Sequence, residues 1–295
     1  MAGEPWRVSL HGGHSGEFCE HATGTLREVI EAAVAVGFDV FGVSEHAPRS
    51  EERFVYDTER EKGYDVERLE REFDDYAREV RKLAEEFSDR LTVLRGFEAE
   101  IVPEAGFQKE MLAHRKRHQF DYVVGSVHYV EEISIDGPAA EFERLVAMVG
   151  GIDEVAVRYY HNVARLVREL QPEVVGHLDL IRRNAPAGAV LDSPRIAGAV
   201  ELALEEVLNC DAILDLNTAG WRKGLGNPYP EPWLVQRASA MGIGFCFGDD
   251  SHGGPDVGAG IDEARDYLLA NGVDRIRRLS REGQSIVKEW IGLNN

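Results

Sequence analysis

"DVFGVSEH", residues 39–46, is a short apolar run that ends in an adjacent glutamate and histidine. Its length suits a strand rather than a helix, and Val40, Phe41 and Val43 favour the pleated conformation. The preceding "GTLREVIEAAVAVG" (24–37) spaces its apolar residues three and four apart, with Thr23 or Thr25 near the start and Gly37 as the stop. That is a helix signature, so the pair reads as a helix feeding a buried strand with a polar C-terminal end. The same unit recurs along the chain. Further strands are predicted at 7–11, 92–100, 122–128, 173–179, 212–217 and 242–250, and helices at 65–87, 154–170, 194–209 and 232–242. The final stretch, "GVDRIRRLSREGQSIVKEWIGL" (272–293), is also predicted helical. Seven strands alternating with helices predict an α/β fold with a parallel sheet. A length of 295 residues with no internal repeat or linker suits one barrel domain spanning 1–295.

Composition narrows the function classes. Thirty-three Lys+Arg against 53 Asp+Glu give a formal charge of −20, a field that repels nucleic acid and anionic membranes. No apolar run approaches the roughly 18 residues of a bilayer span. Cys19, Cys210 and Cys246 are too few and too scattered for a disulfide framework. With no basic-then-apolar leader at the start, the expected location is the cytoplasm.

The predicted strands end in metal-ligand residue types: His11 with His14, Glu45-His46, Glu98, His128, His177 with Asp179, Asn217, and Asp249-Asp250 with His252. Seven of the ten histidines fall at or just beyond such an end, and only His114, His118 and His161 fall on helical segments. Strand C-termini share one face of a parallel barrel, so these side chains converge if the sheet closes. Imidazole and carboxylate together suit Zn, Mn or Fe, and the surplus over four ligands calls for more than one ion. Long polar loops are expected on that face at 47–65, 100–118, 182–192 and 218–232.

In order along the chain, the three early histidines, "SEHAP", "GFEAE", "GSVH", "GHLDL", "LDLNTAGWRK" and "GDDSH" resemble the PHP (polymerase and histidinol phosphatase) superfamily, and within it the monofunctional histidinol-phosphatase branch. The resemblance runs from about residue 7 to residue 254. It implies a distorted (β/α)7 barrel of the PHP type with the active site at the strand C-termini, holding two or three divalent or trivalent ions. By motif, one ion is assigned to His11, His14, Glu98 and Asp250. Glu98 bridges to a second held with His128 and His177, and a third takes His21, His46 and His252. The implied reaction is hydrolysis of L-histidinol phosphate in histidine biosynthesis, with hydroxide activated by the metals as nucleophile. Glu98, Asp250 and His252 are the catalytic candidates, the last two for proton transfer.

The chain departs from the family's first motif, usually H-x-H, by placing His11 and His14 three apart. Simple alternation sends such a pair to opposite faces; Gly12-Gly13 can relieve this through a positive-φ bulge. An anionic ester also needs cations in so acidic a chain. Arg222 and Lys223 are the first candidates, then Arg49, Arg182 and Arg183, since guanidinium matches phosphate in bidentate fashion. Glu17 or Glu100 are candidates for a substrate ammonium. The expected partner is thus a small phosphate ester.

Other features read more plainly. His114 and His118 lack the glutamate of a metalloprotease helix, His161 reads as helix surface or core edge, and Ser15 in "GHSGE" is not in a G-x-S-x-G elbow. Cys19 is a candidate soft-metal ligand but reads first as a small packed side chain. Competing functions are a PHP phosphoesterase for another monoester, an amidohydrolase-type metal hydrolase, which "GSVH" without a lysine disfavours, and a non-enzymatic module.

Overall fold

The structure is a computed structural model and describes residues 4–186, 188–283 and 285–294. Its strands are β1 (Val8–Ser9), β2 (Val40–His46), β3 (Thr92–Ala99), β4 (Val124–Gly125), β5 (Tyr129–Val130), β6 (Ile133–Ser134), β7 (Val174–Val175), β8 (Ile213–Asn217), β9 (Phe245–Gly248), β10 (Arg275–Glu282) and β11 (Ser285–Gly292). Seven of them form one sheet in the order β1-β2-β3-β4-β7-β8-β9, every pair parallel. Its two edges meet: the Leu10 amide donates to Phe247 O (2.8 Å) and the Asp250 amide to His11 O (2.9 Å). The result is the expected distorted seven-stranded barrel, with each predicted strand in its place.

Sequence explains the joints. Thr25 caps the helix Leu26–Val36 in a reciprocal box with Glu28, and Gly37 ends it in the left-handed region (φ +84°). Ser193 and Pro194 start the helix Pro194–Asn209 in the same directed way. Inside the barrel, Gly42 and Gly96 leave room for the buried ring of Tyr122, whose hydroxyl donates to Leu10 O at 2.9 Å. Interior volume is filled by one aromatic side chain where two strands offer none.

Several expectations are corrected. Residues 272–293 are not a helix: β10 and β11 pair antiparallel over eight residue pairs, from Arg275 opposite Gly292 to Glu282 opposite Ser285. The apolar residues do recur at helical spacing, Ile276 with Leu279 and Val287 with Trp290 and Ile291. Gly283 (φ +62°), which follows Glu282 at the end of β10, lets the chain turn back so that the two segments pair. The loop expected at 100–118 contains a helix, Phe107–His118, and that at 47–65 contains Glu52–Phe54 and Asp57–Glu61 as short helical turns. A helix at Ala139–Val149 and the hairpin of β5 with β6 were not foreseen. No helix among the described residues is long and apolar enough to cross a membrane. One continuous apolar cluster runs from Trp6 to Leu293.

Candidate metal centre

The β2–β3 register pairs His46 with Glu98, which puts both side chains on one face at the top of the barrel. The Glu98 carboxylate lies at the centre of the cluster. Its Oε1 is 3.1 Å from His11 Nε2, 3.2 Å from His177 Nε2 and 3.7 Å from His128 Nε2, while Oε2 is 2.9 Å from His46 Nδ1. Glu98, His11, His14 and His177 are all buried.

The glycine pair behaves as the spacing requires. Gly12 (φ +139°) and Gly13 (φ +79°) both occupy positive φ, and a Cβ on Gly12 would collide with Asp249 Oδ1. Ser44 Oγ accepts from the Gly12 amide and Ser251 Oγ from the Gly13 amide, each at 3.0 Å. This pinned bulge turns both His11 and His14 inward. Asp250 (φ +48°) and His177 (φ +24°) also adopt backbone conformations that L side chains rarely take. Asp250 is held by the His11 carbonyl and the His177 amide by Asp215 Oδ1 at 2.5 Å.

Four imidazoles arrive with Nδ1 already engaged: His11 on Asp215 Oδ2 (2.6 Å), His14 on Glu45 Oε1 (2.9 Å), His128 on Glu100 Oε2 (2.6 Å) and His252 on Asp250 O (3.0 Å). A proton held on Nδ1 presents the Nε2 lone pair, the arrangement in which carboxylates and carbonyls orient metal-binding histidines. The Nε2 atoms of His11, His14 and His46 are buried without a hydrogen-bond partner. Buried polar atoms are seldom left so; an ion at the centre would satisfy them, and the donor set fits one.

Potential ligand atoms fall into overlapping groups within 4.8 Å: His11, His14 and Glu98; Glu98, His128 and His177; His14, Asp250 and His252; His14, Glu45 and His46; and Cys19, His21, His46 and His252. The nine sequence-predicted ligands are thereby brought together. Asp250 groups with His14 and His252 rather than with His11 and Glu98, and His14 links three of the groups. Glu45 and Cys19 also stand in these groups, the first named in the sequence as a ligand-type residue at a strand end and the second as a candidate soft-metal ligand, while Asp215 lies in none of them and holds His11 instead. The signal for Asp215 was a lone carboxylate inside the apolar "AILDLN".

Electrostatics divides the cluster in two. Burial alone would depress His11, His14 and His128, but facing carboxylates reverse it, raising all three, His128 to about 10. Burial likewise opposes ionisation of Glu98, yet His11 and His128 hold its carboxyl well below the usual range. Glu45 is brought to about 2 against its own burial, chiefly by His14. On the other side, burial and the neighbouring His14 lower His21, His252 and, to about 4, His46, keeping those rings neutral.

A cavity of about 370 Å³ opens over Glu98, His128 and His177. Arg49, Arg183, Arg222 and Lys223 line it; Arg182 does not. Arg182 instead pairs with Asp179 (2.9 Å) and donates to Pro228 O. Arg49 is ion-paired to Glu59 and lies over the Tyr56 ring. Arg222 donates to the carbonyls of Asp249 (2.6 Å) and Asp250 (2.9 Å), bracing the strand end that carries Asp250. Glu100 faces the cavity but is engaged by His128, and Glu17 is spent capping Leu26 N. His114 and His118 pack on Phe73, away from the centre.

Comparison with known proteins agrees with this architecture. The PHP domain model matches residues 10–219. A Schizosaccharomyces pombe protein named "Probable histidinol-phosphatase" is 31% identical over 295 residues, covering 98% of this chain and 95% of that one. The Bacillus subtilis histidinol-phosphatase is 28% identical, covering 82% and 92%. In three dimensions the chain superposes on a histidinol phosphate phosphatase from Lactococcus lactis, solved with zinc, L-histidinol and phosphate, at a TM-score of 0.73 and 19% identity over 96% of this chain and 99% of that one. The chain belongs to the PHP domain family.

Proposed function

We propose that the chain is a metal-dependent phosphomonoesterase that hydrolyses L-histidinol phosphate to L-histidinol and phosphate, serving histidine biosynthesis in the cytoplasm, with residues 1–295 acting as one domain. The observation that carries this reading is the near full-length match to curated histidinol-phosphatases, joined to a barrel-mouth cluster of buried, carboxylate-oriented imidazoles. His11, His14, His21, His46, Glu98, His128, His177, Asp250 and His252 would hold two or three ions of the Zn, Mn or Fe kind. Such ions supply Lewis acidity toward phosphoryl oxygens and make water nucleophilic near neutral pH.

The chain's own residues do the rest. Glu98, ionised and central, ties the His11 and His128 sides together. Burial opposes ionisation of Asp250, but Lys223, His11 and His252 hold it well below the usual carboxylate range, so it stays ionised, and either it or His252 would relay the proton of the attacking water. Arg183 and Lys223 offer charge to the phosphate from the cavity wall. Arg222 and Arg49, already engaged, position the strand end and the wall, and Arg182 acts from behind through Asp179.

The test is phosphate release from L-histidinol phosphate beside a panel of other phosphomonoesters, using protein whose metal content has been counted. Strong preference for L-histidinol phosphate with two or three bound ions is expected. Unselective release at the same metal content would reject the named substrate and keep a PHP phosphoesterase. Replacing His128 and His177 together is expected to abolish turnover, and unchanged activity would refute the site.

A further inference from the structure

We propose that Asn184 is a positioning residue for substrate selection: its side chain fixes the turn that carries Asp136 beside Arg183, and Asp136 takes the cationic amine of the substrate. The inference rests on the function proposed above and deepens it, because an amine-bearing phosphomonoester needs an anion in the cavity as well as cations.

The carboxylates expected to meet that amine are occupied, Glu100 by His128 and Glu17 by the Leu26 amide. Glu98 and Asp250 belong to the proposed metal centre. Asp136 and Asp256 also line the cavity, and neither makes an ion pair among the described residues. Asp136 is the better placed. It lines both the cavity over Glu98 and a second one of about 460 Å³ that shares Tyr56 and Tyr129 with it, so an amine reaching past the phosphate meets it at the boundary. Its carboxylate is held in place: Ser134 Oγ donates to Asp136 Oδ1 (3.1 Å) and accepts from the Gly137 amide (3.0 Å). The Ile135 amide donates to His128 O (2.9 Å), which ties the same turn to a proposed metal ligand.

Asn184 completes the frame. Its Nδ2 donates to the carbonyls of Ile135 (3.0 Å) and Gly137 (2.9 Å), the residues on either side of Asp136. In the chain it directly follows Arg183, at the end of the helical turn Leu180–Arg183, and Arg183 lines the cavity with no ion-pair partner among the described residues. One short side chain therefore ties the wall that carries the guanidinium to the wall that carries the carboxylate, and so fixes their separation. The task suits an amide, which brings two donors on a short stem; an aspartate would set acceptors against two carbonyls. L-histidinol phosphate bears its phosphate and its ammonium a short chain apart. A fixed pair of opposite charges reads that spacing and leaves Asp136 unpaired against an ester that lacks the amine.

The test is steady-state kinetics of the full-length protein, its metal content counted, on L-histidinol phosphate and on the matching ester without the amine. The unmodified protein is expected to favour the amine-bearing ester. In Asn184→Leu, which keeps the volume without the donors, and in Asp136→Asn, that preference in kcat/KM should fall about tenfold, the weight of one charge-assisted contact. The loss should appear in KM rather than kcat, with metal content unchanged. The double variant should lose no more than Asp136→Asn alone, since Asn184 acts through Asp136. Asn184→Gln should recover part of the preference, and melting curves check that each variant folds. Equal losses on both esters, or additive losses in the double variant, would make Asn184 merely structural and overturn the inference, as would a loss in Asp256→Asn with none in Asp136→Asn. Unmodified protein that shows no preference for L-histidinol phosphate over other phosphomonoesters overturns the named substrate together with the inference.

Discussion

Asp215 holds His11 by its side chain and His177 by its backbone amide, so one carboxylate sets two ligands that lie far apart along the chain. Asp215→Asn keeps the size but lets an amide donate where His11 Nδ1 must donate. Metal affinity and phosphate release are expected to fall about 10–100-fold, measured by metal titration and by turnover at saturating metal. Protons matter as well. His128, pushed to about 10 against its own burial by Glu100 and Glu98, carries a proton at neutral pH in the metal-free protein. Metal uptake must displace it, so apparent affinity should climb with pH below about 10, up to about tenfold per unit for each proton released. Calorimetric titration in buffers of different ionisation enthalpy counts those protons, and a pH-independent affinity would contradict the assignment. The histidines and Glu98 were legible in the sequence because most of them sit at or just beyond a strand end. Asp215 was not, and Glu45 was legible only as a strand-end carboxylate and not as the partner of His14, because these roles depend on partners 204 and 31 positions away, distances that no local pattern reports.

Strands declared themselves through short apolar runs with polar C-terminal ends, and most helices through period and caps. The terminal hairpin did not, because its apolar residues also satisfy the helical period; pairing with a partner strand settled a conflict that one segment could not. Glycines show the same division. Gly37 reads as a helix stop from sequence alone, whereas Gly96 makes sense only once Tyr122 lies against it. A Cβ at Gly96 would collide with the edge of the Tyr122 ring, and that ring is fully buried. Gly96→Ala is therefore expected to destabilise by about 1–3 kcal/mol through overpacking, seen as a lower urea midpoint with an unchanged slope. A neutral result would mean that the ring can retreat.

The barrel draws on nearly the whole chain, including a part that the family match at 10–219 does not reach. The hairpin of β10 and β11, with the residue that follows it, fully buries Ile276, Leu279 and Leu293 and lays the Arg277 and Trp290 side chains against Gly244, just before β9. At about 1.5–3 kcal/mol per buried side chain, a chain truncated after Gly272 should lose on the order of 5 kcal/mol, enough to threaten a domain of ordinary stability. Denaturant unfolding of the truncated protein checks this; an unchanged midpoint would make the hairpin an ornament. The closure of β1 against β9 has a further consequence during synthesis. Seven of the nine proposed ligands lie at or before His177, but Asp250 and His252 leave the ribosome last. At about 5–20 residues per second, His11 and His14 wait ten seconds or more for those partners. A nascent chain would capture ions only loosely until β9 docks, so a complete metal complement would mark a closed barrel.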